Sequence, residues 1–345
     1  MAGEKQVTVT QNDVAREAGV TRSMVSYVIS GNTERSVAPE TRRRILDAIE
    51  RLGYRPNKAA QALQQGDVAM AQKHIGVVLC SPDVFRRPYY AEIIEGIHTA
   101  AHENGCQVRF IRFFEELKNP VLFNELIHEE EIGGLILVST DQIIKGEADY
   151  AIIERIRERI KKIVCIEWRY EGLTSICFDR RESARKAADY LFLRGYTDVA
   201  YLGQNDARVA GVQMSLQSHG FDFSIESFYL AQAFTMAGAY DSLKSVHKKR
   251  GSLPRALVCG SDEVAMGVLC YLSEERIAVP QDVAVISIDN IEMSGYTNPP
   301  LTTINVQKRS MGSRAVELIV NGSARQGENA LDITLPTNIV ERKSC

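Results

Sequence analysis

The sequence predicts a small all-α helix-turn-helix head followed by a larger α/β body built on doubly wound parallel sheets. Three observations support this prediction. Apolar residues recur at helical spacing through the first 53 residues. Short apolar strands then alternate with helical segments from His74 onward, and the 345 residues suffice for one small and one large domain.

Local start and stop signals divide the head into three helices. Thr10 opens the first with a capping-box-like pattern. Thr21 caps a second helix that runs from Arg22 to about Ser30, and Pro39 occupies the first turn of a third helix, which Gly53 ends. A helix, a glycine-containing turn and a second helix form a plausible helix-turn-helix, although an unrelated three-helix bundle fits the same pattern.

In a helix-turn-helix, the second helix enters the major groove of DNA. Its first two turns would then present these side chains to the bases: Thr21, Arg22, Ser23, Met24, Ser26 and Tyr27. Arg22 suits a guanine edge, and hydroxyl groups suit phosphate or base edges. Residues 1–65 carry ten Lys and Arg against seven Asp and Glu, whereas the rest carries 31 against 37. A basic head on an acidic body favours binding of the head to a polyanion.

The composition, 45% hydrophobic and 25% charged, is typical of a soluble globular protein. The N-terminus has no apolar segment of a secretion signal, and no apolar run approaches the roughly 20 residues of a membrane span. Seven scattered cysteines without a C-x-x-C pair indicate reduced thiols and no zinc site. We expect a cytoplasmic protein that needs no metal or other cofactor.

The body alternates buried strands with helices, the pattern of parallel doubly wound sheets. Its predicted strands are His74–Cys80, Gln107–Ile111, Leu135–Val138, Ile163–Ile166, Ile176–Phe178, Val199–Leu202, Ala256–Cys259 and Val283–Ile288. A weak repeat relates 75–110 to 199–223 and suggests two similar lobes, although all doubly wound sheets share this pattern. Ligands of such sheets bind beyond the carboxyl ends of the strands, where this sequence places polar residues and its only tryptophan. That set suits a polyhydroxylated ligand.

Two stretches of the head and four of the body resemble a known family. The stretches VTQNDVAREAGVTRSMVSYVISG and TRRRILDAIERLGYRPNKAAQAL closely resemble the head of the lactose-repressor (LacI/GalR) family. The resemblance continues through YYAEIIEGIHTAAHENG, GGLILVS, SDEVAMGVLCYLSEERIAVPQDVAVISIDN and PPLTTINVQ, and so spans nearly the whole chain. It implies a periplasmic-binding-protein-like body of two lobes, a homodimer, and a near-palindromic operator on double-stranded DNA.

The implied organisation has a DNA-binding domain at 1–56, a hinge helix and linker at 57–73, and an effector-binding and dimerisation domain at 74–345. The N-lobe would comprise about 74–180 and 303–326, and the C-lobe about 181–302 and 327–342. The hinge helix would enter the minor groove, with Leu63 as a wedge between base pairs. Alternatively, Leu63 is a linker leucine that covers the core.

The resemblance assigns DNA contacts to Thr10, Thr21, Arg22, Ser23, Ser26, Tyr27, Asn57, Lys58, Ala60 and Leu63. Two head residues depart from the family pattern. Tyr27 replaces a frequent arginine, which leaves the operator sequence open. Ala38 replaces the usual Ser or Thr cap before Pro39, which should cost about 1 kcal/mol of helix stability.

Strand ends and resemblance together give the predicted effector-binding residues: Ser81, Tyr89, Ser139, Trp168, Arg169, Arg208, Ser261 and Asp289. The resemblance matches Arg208 and Asp289 to an arginine and an aspartate that contact the effector. Trp168 and Arg169 could equally cap the lobe interface. Ser261 and Val306 replace a frequent Asn and a frequent polar residue, so the identity of the effector stays open.

Enzyme motifs are absent: the sequence has no G-x-S-x-G, no H-E-x-x-H and no phosphate-binding loop. A periplasmic receptor would need an export signal and no DNA-binding head. We therefore predict a transcription regulator, a repressor of carbohydrate-metabolism genes, whose operator affinity is controlled by a sugar or sugar derivative between the lobes. Whether the effector induces or co-represses is open. The alternative is a cytoplasmic small-molecule-binding protein without operator specificity.

Overall fold

A computed structural model describes residues 9–30, 37–54, 73–221 and 224–345. The chain divides into two compact units. Unit 1 comprises Met1–Phe85, Ile94–Ile176 and Gly312–Ile333; unit 2 comprises Arg86–Ile93, Cys177–Met311 and Thr334–Cys345. Within the described ranges, no helix has the length and apolar character needed to cross a membrane.

Three helices form the head within unit 1: α1 (Gln11–Ala18), α2 (Arg22–Ser30) and α3 (Pro39–Leu52). The predicted capping box is present, because Thr10 and Asp13 exchange hydrogen bonds between side chain and backbone. Gly53 ends α3 in the left-handed conformation, as a C-terminal glycine commonly does. The three predicted head helices are therefore confirmed.

The third helix begins without a side-chain cap, because Ala38 occupies the N-cap position. Replacing Ala38 with serine is expected to stabilise α3 by about 1 kcal/mol, since the hydroxyl would accept a hydrogen bond from a free first-turn amide. Hydrogen exchange of the α3 amides measures the gain. Unchanged exchange in the serine variant would contradict the position of this cap.

The body helices follow in chain order: α4 (Pro88–Glu103), α5 (Pro120–Leu126), α6 (Glu147–Arg159), α7 (Arg180–Leu193), α8 (Ala207–Ser218), α9 (Ile225–Phe228), α10 (Met236–Arg250), α11 (Asp262–Glu274) and α12 (Lys308–Val320). The strands are β1 (His74–Leu79), β2 (Gln107–Phe113), β3 (Gly134–Val138), β4 (Ile163–Ile166), β5 (Thr174–Phe178), β6 (Val199–Leu202), β7 (Tyr229–Ala231), β8 (Ala256–Cys259), β9 (Ala284–Asp289), β10 (Thr302–Asn305), β11 (Asp332–Leu335) and β12 (Asn338–Val340).

These strands form two six-stranded sheets, with the orders β11-β5-β4-β3-β1-β2 and β12-β10-β9-β8-β6-β7. In the first sheet, the neighbouring strands β5, β4, β3, β1 and β2 pair in parallel. In the second sheet, the neighbouring strands β10, β9, β8, β6 and β7 do the same. Strand β12 is antiparallel to β10. The carboxyl ends of neighbouring parallel strands meet at one edge, where ligands of such sheets bind.

The eight predicted strands are all present, and three of them, β4, β6 and β8, have the predicted bounds. Four further strands escaped prediction: β7, β10, β11 and β12. Each has only three or four residues, and the residues of β11 and β12 are half-buried or exposed. Apolar runs mark buried strands, so the short edge strands β7, β11 and β12 give no such signal.

Candidate DNA-binding and effector-binding sites

The start of α2 is an exposed polar face. Thr21, Arg22, Ser23 and Met24 are all exposed, whereas Ser26 and Tyr27 on the next turn are half-buried. The Thr21 hydroxyl accepts a hydrogen bond from the Met24 amide at 3.4 Å. The Arg22 Nε donates to Gln11 Oε1 at 3.4 Å, which leaves the rest of the guanidinium available to a base or phosphate.

Thr10 lies at the N-terminus of α1, where backbone amides favour a phosphate. Its hydroxyl lies 2.6 Å from Asp13 Oδ2, and this contact lowers the pKa of that carboxyl. The predicted hinge contacts lie outside the described residues: Asn57, Lys58, Ala60 and Leu63.

In unit 1, three predicted effector residues follow adjacent strands: Ser81 after β1, Ser139 after β3 and Trp168 after β4. Ser139 is 1% exposed and holds a left-handed backbone with φ of 49°. Its Oγ and the Oγ1 of buried Thr140 have no hydrogen-bond partner among the described residues. Buried hydroxyls and strained backbone concentrate at ligand sites, because unpaired polar atoms are costly elsewhere.

The tryptophan and the arginine that follow β4 have different surroundings. Trp168 is buried and meets the Tyr170 ring edge-on, with 4.9 Å between centroids. The Arg169 side chain is 47% exposed and pairs with Asp332 at 2.9 Å. Trp168 is therefore a buried residue at the end of β4, whereas Arg169 forms a surface ion pair.

In unit 2, Arg208 lies on the helix that follows β6 and Asp289 is the last residue of β9, and these two strands flank β8 in the sheet. Arg208 is 8% exposed, and its Nη1 contacts Asp206 Oδ2 at 2.6 Å and Gln204 Oε1 at 3.2 Å. Its Nε has no hydrogen-bond partner among the described residues. A buried guanidinium N–H in this position is available to donate to a ligand.

Two further predicted residues of unit 2 are buried in different roles. The Ser261 hydroxyl caps α11 by accepting from the Val264 amide at 3.2 Å. The Tyr89 ring packs edge-on against Tyr90, with 5.3 Å between centroids. Ser261 thus caps α11, whose first residue is the buried Asp262.

Asp262 and Asp289 form a buried acidic pair. Asp262 accepts hydrogen bonds from the Ile291 amide at 2.7 Å, from Thr303 Oγ1 at 2.6 Å and from Ser287 Oγ. Burial raises the pKa of Asp262 to about 6, and burial together with the nearby Asp262 charge raises the pKa of Asp289 well above its usual range. Both buried carboxyls therefore ionise less readily than a carboxyl in water.

This pair makes the stability of unit 2 pH-dependent. Folded Asp262 retains its proton up to about pH 6, whereas the unfolded chain loses it near pH 4, so the free energy of unfolding falls as pH rises from about 4 to about 6. Lowering the pH through this window should therefore stabilise unit 2. Asp262→Asn, which imitates the protonated acid and cannot ionise, should flatten the dependence of the melting temperature on pH. An unchanged slope in this variant would contradict the assignment.

Three cationic side chains of unit 2 lie near the acidic pair of Asp262 and Asp289, and each has an acidic partner of its own. Arg208 pairs with Asp206, and Arg87 pairs with Glu263 at 2.9 Å. Buried Lys308 lies 3.6 Å from Glu92 and donates to backbone carbonyls, including that of Asn290 at 3.1 Å. Their charges are thus already compensated. No group of three metal-ligating side chains occurs among the described residues.

Known proteins resemble this chain in both the head and the body. The model described as "Bacterial regulatory proteins, lacI family" matches residues 10–57, and the "Periplasmic binding protein-like domain" matches residues 188–345. The HTH-type transcriptional repressor PurR of Edwardsiella ictaluri is 27% identical over an alignment of 347 positions, which covers 97% of this chain and 96% of the relative. The repressor of the same name from Yersinia pestis (strain Pestoides F) is 28% identical with the same coverage.

The chain therefore combines a lacI-type head with a periplasmic-binding-protein-like domain, and it is similar over almost its whole length to HTH-type transcriptional repressors. It is a DNA-binding transcriptional regulator and not an enzyme, as predicted, because these relatives are repressors. The helix-turn-helix head and the periplasmic-binding-protein-like body are likewise confirmed.

Solved structures of similar fold cover between 79% and 98% of the chain. A complex of the transcriptional regulator CelR with cellobiose is 22% identical with a TM-score of 0.67, covering 98% of this chain and 100% of that one. A lac repressor dimer bound to operator and an anti-inducer is 23% identical with a TM-score of 0.67, at 98% and 99% coverage. A putative transcriptional regulator LacI from Bacillus cereus subsp. cytotoxis is 25% identical with a TM-score of 0.65, at 79% and 98%.

The predicted effector-binding set omits four residues near the strand ends: Arg87, Thr140, Asp262 and Lys308. Thr140 and Asp262 are among the polar residues that the sequence places at the strand ends. Arg87 directly precedes α4 and Lys308 begins α12, far along the chain from the strands they approach. Only the tertiary fold brings them to the site.

Proposed function

We propose that the chain is a cytoplasmic regulator that binds a near-palindromic operator as a homodimer, under the control of a neutral, polyhydroxylated effector. The observation that carries the effector class is the buried Arg208 Nε without a partner among the described residues, beside the buried Asp289 carboxyl, whose pKa burial raises. A donor beside an acid group suits a sugar hydroxyl, which both donates and accepts. The proposal keeps residues 57–73 as hinge and linker.

The charge around Arg208 supports a neutral effector over an anionic one. Arg208, Arg87 and Lys308 each already face a carboxylate. A phosphate or carboxylate entering here would compete with those partners and would meet two buried acids, Asp262 and Asp289. Like charges at low dielectric repel strongly, so an anionic ligand gains little.

The unit 1 group supports the same chemistry. The hydroxyls of Ser139 and Thr140 are buried without hydrogen-bond partners among the described residues. Trp168 follows β4, the strand next to β3, and supplies an aromatic surface. Polar groups of this kind fix the orientation of a ligand in a mostly apolar pocket. The similar regulator CelR is known in complex with cellobiose, which supports a carbohydrate here and a role in carbohydrate metabolism.

Thermal unfolding of the full chain with single sugars tests the proposal. Cellobiose, ribose, sucrose and other neutral sugars would be compared with sugar phosphates at equal concentration. A sugar that binds the folded state stabilises it by about 2.7 kcal/mol at 100 times its dissociation constant. We expect one neutral sugar to raise the melting temperature and its phosphate ester to have no effect. Stabilisation by the phosphate alone would contradict the neutral class.

The alternative, a small-molecule-binding protein without operator specificity, shares the effector site. It differs in the head, because the exposed first turn of α2 would then have no preferred DNA sequence. A sugar-induced melting shift together with equal affinity for every duplex would favour this alternative.

A further inference from the structure

Unit 1 contains a contact between the head and the body that is separate from the hinge segment. The end of α3 and the following Tyr54 lie against α5 and α6. We define the head-docking surface by the body residues that make the contact: Val121, Asn124, Arg155 and Arg159. Its apolar, hydrogen-bonded and charged parts each involve a different group of the head.

Val121 supplies the apolar part of the head-docking surface. It is 8% exposed and belongs to the hydrophobic cluster of the head, whose other buried members all lie between Val14 and Tyr54. Its α5 neighbours Phe123 and Leu126 belong instead to the core of the body. Val121 is therefore buried by the head, and removal of the head would expose it.

Asn124 supplies the hydrogen-bonded part. Its side chain is fully buried, and its Nδ2 donates to the carbonyls of Ile49 and Tyr54 at 3.4 Å each. The Ile49 carbonyl also accepts from the Tyr54 amide at 3.1 Å, so Asn124 adds a hydrogen bond from the body to the end of α3. Its Oδ1 accepts from Arg159 Nη1 at 2.7 Å, which orients the amide. An amide satisfied on both sides in this way indicates a built interface.

An ion pair closes the edge of the contact. Arg155 Nη1 lies 2.7 Å from Glu50 Oε1 on α3. The guanidinium groups of Arg155 and Arg159 lie over the Phe123 ring, 4.3 and 4.9 Å from its centroid. Stacking on Phe123 restricts the conformations of both arginine side chains, which reduces the side-chain entropy lost when they contact the head.

The docked head keeps its reading face open, because residues Thr21 to Met24 at the start of α2 remain exposed. Docking is therefore compatible with DNA binding. The same surface is also connected to the candidate effector group. Trp168 shares one hydrophobic cluster with Phe123 of α5 and Ile156 of α6, and the Tyr170 hydroxyl donates to Glu154 of α6 at 2.6 Å.

We infer that the head-docking surface is a second coupling route between effector and operator, in addition to the hinge segment. This inference rests on the proposed function for its effector. A ligand that moves Trp168 displaces the core beneath α5 and α6, and the docked head moves with these helices. A head attached at two points has its orientation set by unit 1, so operator affinity responds to the position of that unit.

Val121→Asp in the full chain tests the inference, with Val320→Asp as the matched control. Val320 ends α12 in the same unit and is 40% exposed, so the control adds the same charge away from the head. We expect Val121→Asp to raise hydrogen exchange at 49–54 and 121–126 by about tenfold or more, because a docked segment exchanges through local opening. Exchange in the six-stranded sheets should not change, and the control should resemble the unmodified protein.

The second readout is the ratio of affinities for a palindromic duplex recovered by selection, measured with and without the sugar that raises the melting temperature. Val121→Asp should bring this ratio several-fold closer to one, without changing affinity for the sugar. Charge reversal provides an independent variant, since Glu50→Arg and Arg155→Glu should each act in the same direction and the double variant should restore docking.

The outcomes separate the inference from the proposed function. Unchanged exchange in Val121→Asp would show that the head is not docked in solution and would overturn the inference. Raised exchange with an unchanged affinity ratio would overturn the coupling role. If the unmodified protein bound no sugar and selected no duplex, the proposed function and the coupling role would fail together, while exchange would still decide whether the head docks.

Discussion

Replacing Arg208 with alanine is expected to abolish the response of operator binding to the effector. Hydrogen bonds to charged groups contribute about 1.5–3 kcal/mol, so loss of the buried Nε donor should weaken sugar affinity by roughly 10- to 100-fold. Titration calorimetry with the sugar that raises the melting temperature measures this loss. Operator affinity in the absence of sugar should remain, because the head lies in unit 1 and Arg208 in unit 2.

The matched control is Arg250→Ala, which removes an exposed arginine at the end of α10 in the same unit. It should leave sugar affinity unchanged. Because Arg208 also pairs with Asp206, the melting temperature of both variants must be compared. A folded Arg208→Ala protein with normal sugar affinity would reject Arg208 as an effector ligand.

Replacing Arg22 with alanine should have the second large effect, on sequence-specific DNA binding. A bidentate contact between arginine and guanine contributes about 1–3 kcal/mol of discrimination, so specific affinity should fall by roughly 10- to 100-fold while nonspecific affinity changes little. Competition between the selected duplex and a scrambled duplex measures both quantities.

Arg16→Ala is the matched control for the head, because Arg16 lies on α1 with its side chain 80% exposed. Loss of this charge should change affinity for both duplexes alike, if it changes affinity at all. An equal loss for the two duplexes in Arg22→Ala would mean that Arg22 contacts phosphate and does not read a base.

The elements that sequence predicted well are those with local signals. Thr10, Pro39 and Gly53 mark helix ends through their own backbone chemistry, so the head helices follow from a few neighbouring residues. Strands such as β4 and β6 are wholly buried and therefore appear as apolar runs. Strand β10 reads Thr-Thr-Ile-Asn, and its strand structure depends on pairing with β9, which no local pattern reveals.

The candidate sites divide in the same way. Strand ends and family resemblance selected Ser139, Arg208 and Asp289, and the structure places these residues at the carboxyl edges of the two sheets. The hydrogen bonds of buried Lys308 to Asn290 and of Asn124 to Ile49 join residues 18 and 75 positions apart in the chain. Such contacts are properties of the packed fold, so sequence patterns could not predict them.

The measurement that tests the central claim most directly is selection from a library of short random duplexes across a salt series, with and without a panel of neutral sugars. We predict a palindromic consensus, an affinity that falls steeply with salt, and a shift of that affinity by one sugar. The same weak affinity for every duplex, at every salt concentration and with every sugar, would contradict the claim that this chain is an effector-controlled operator-binding protein.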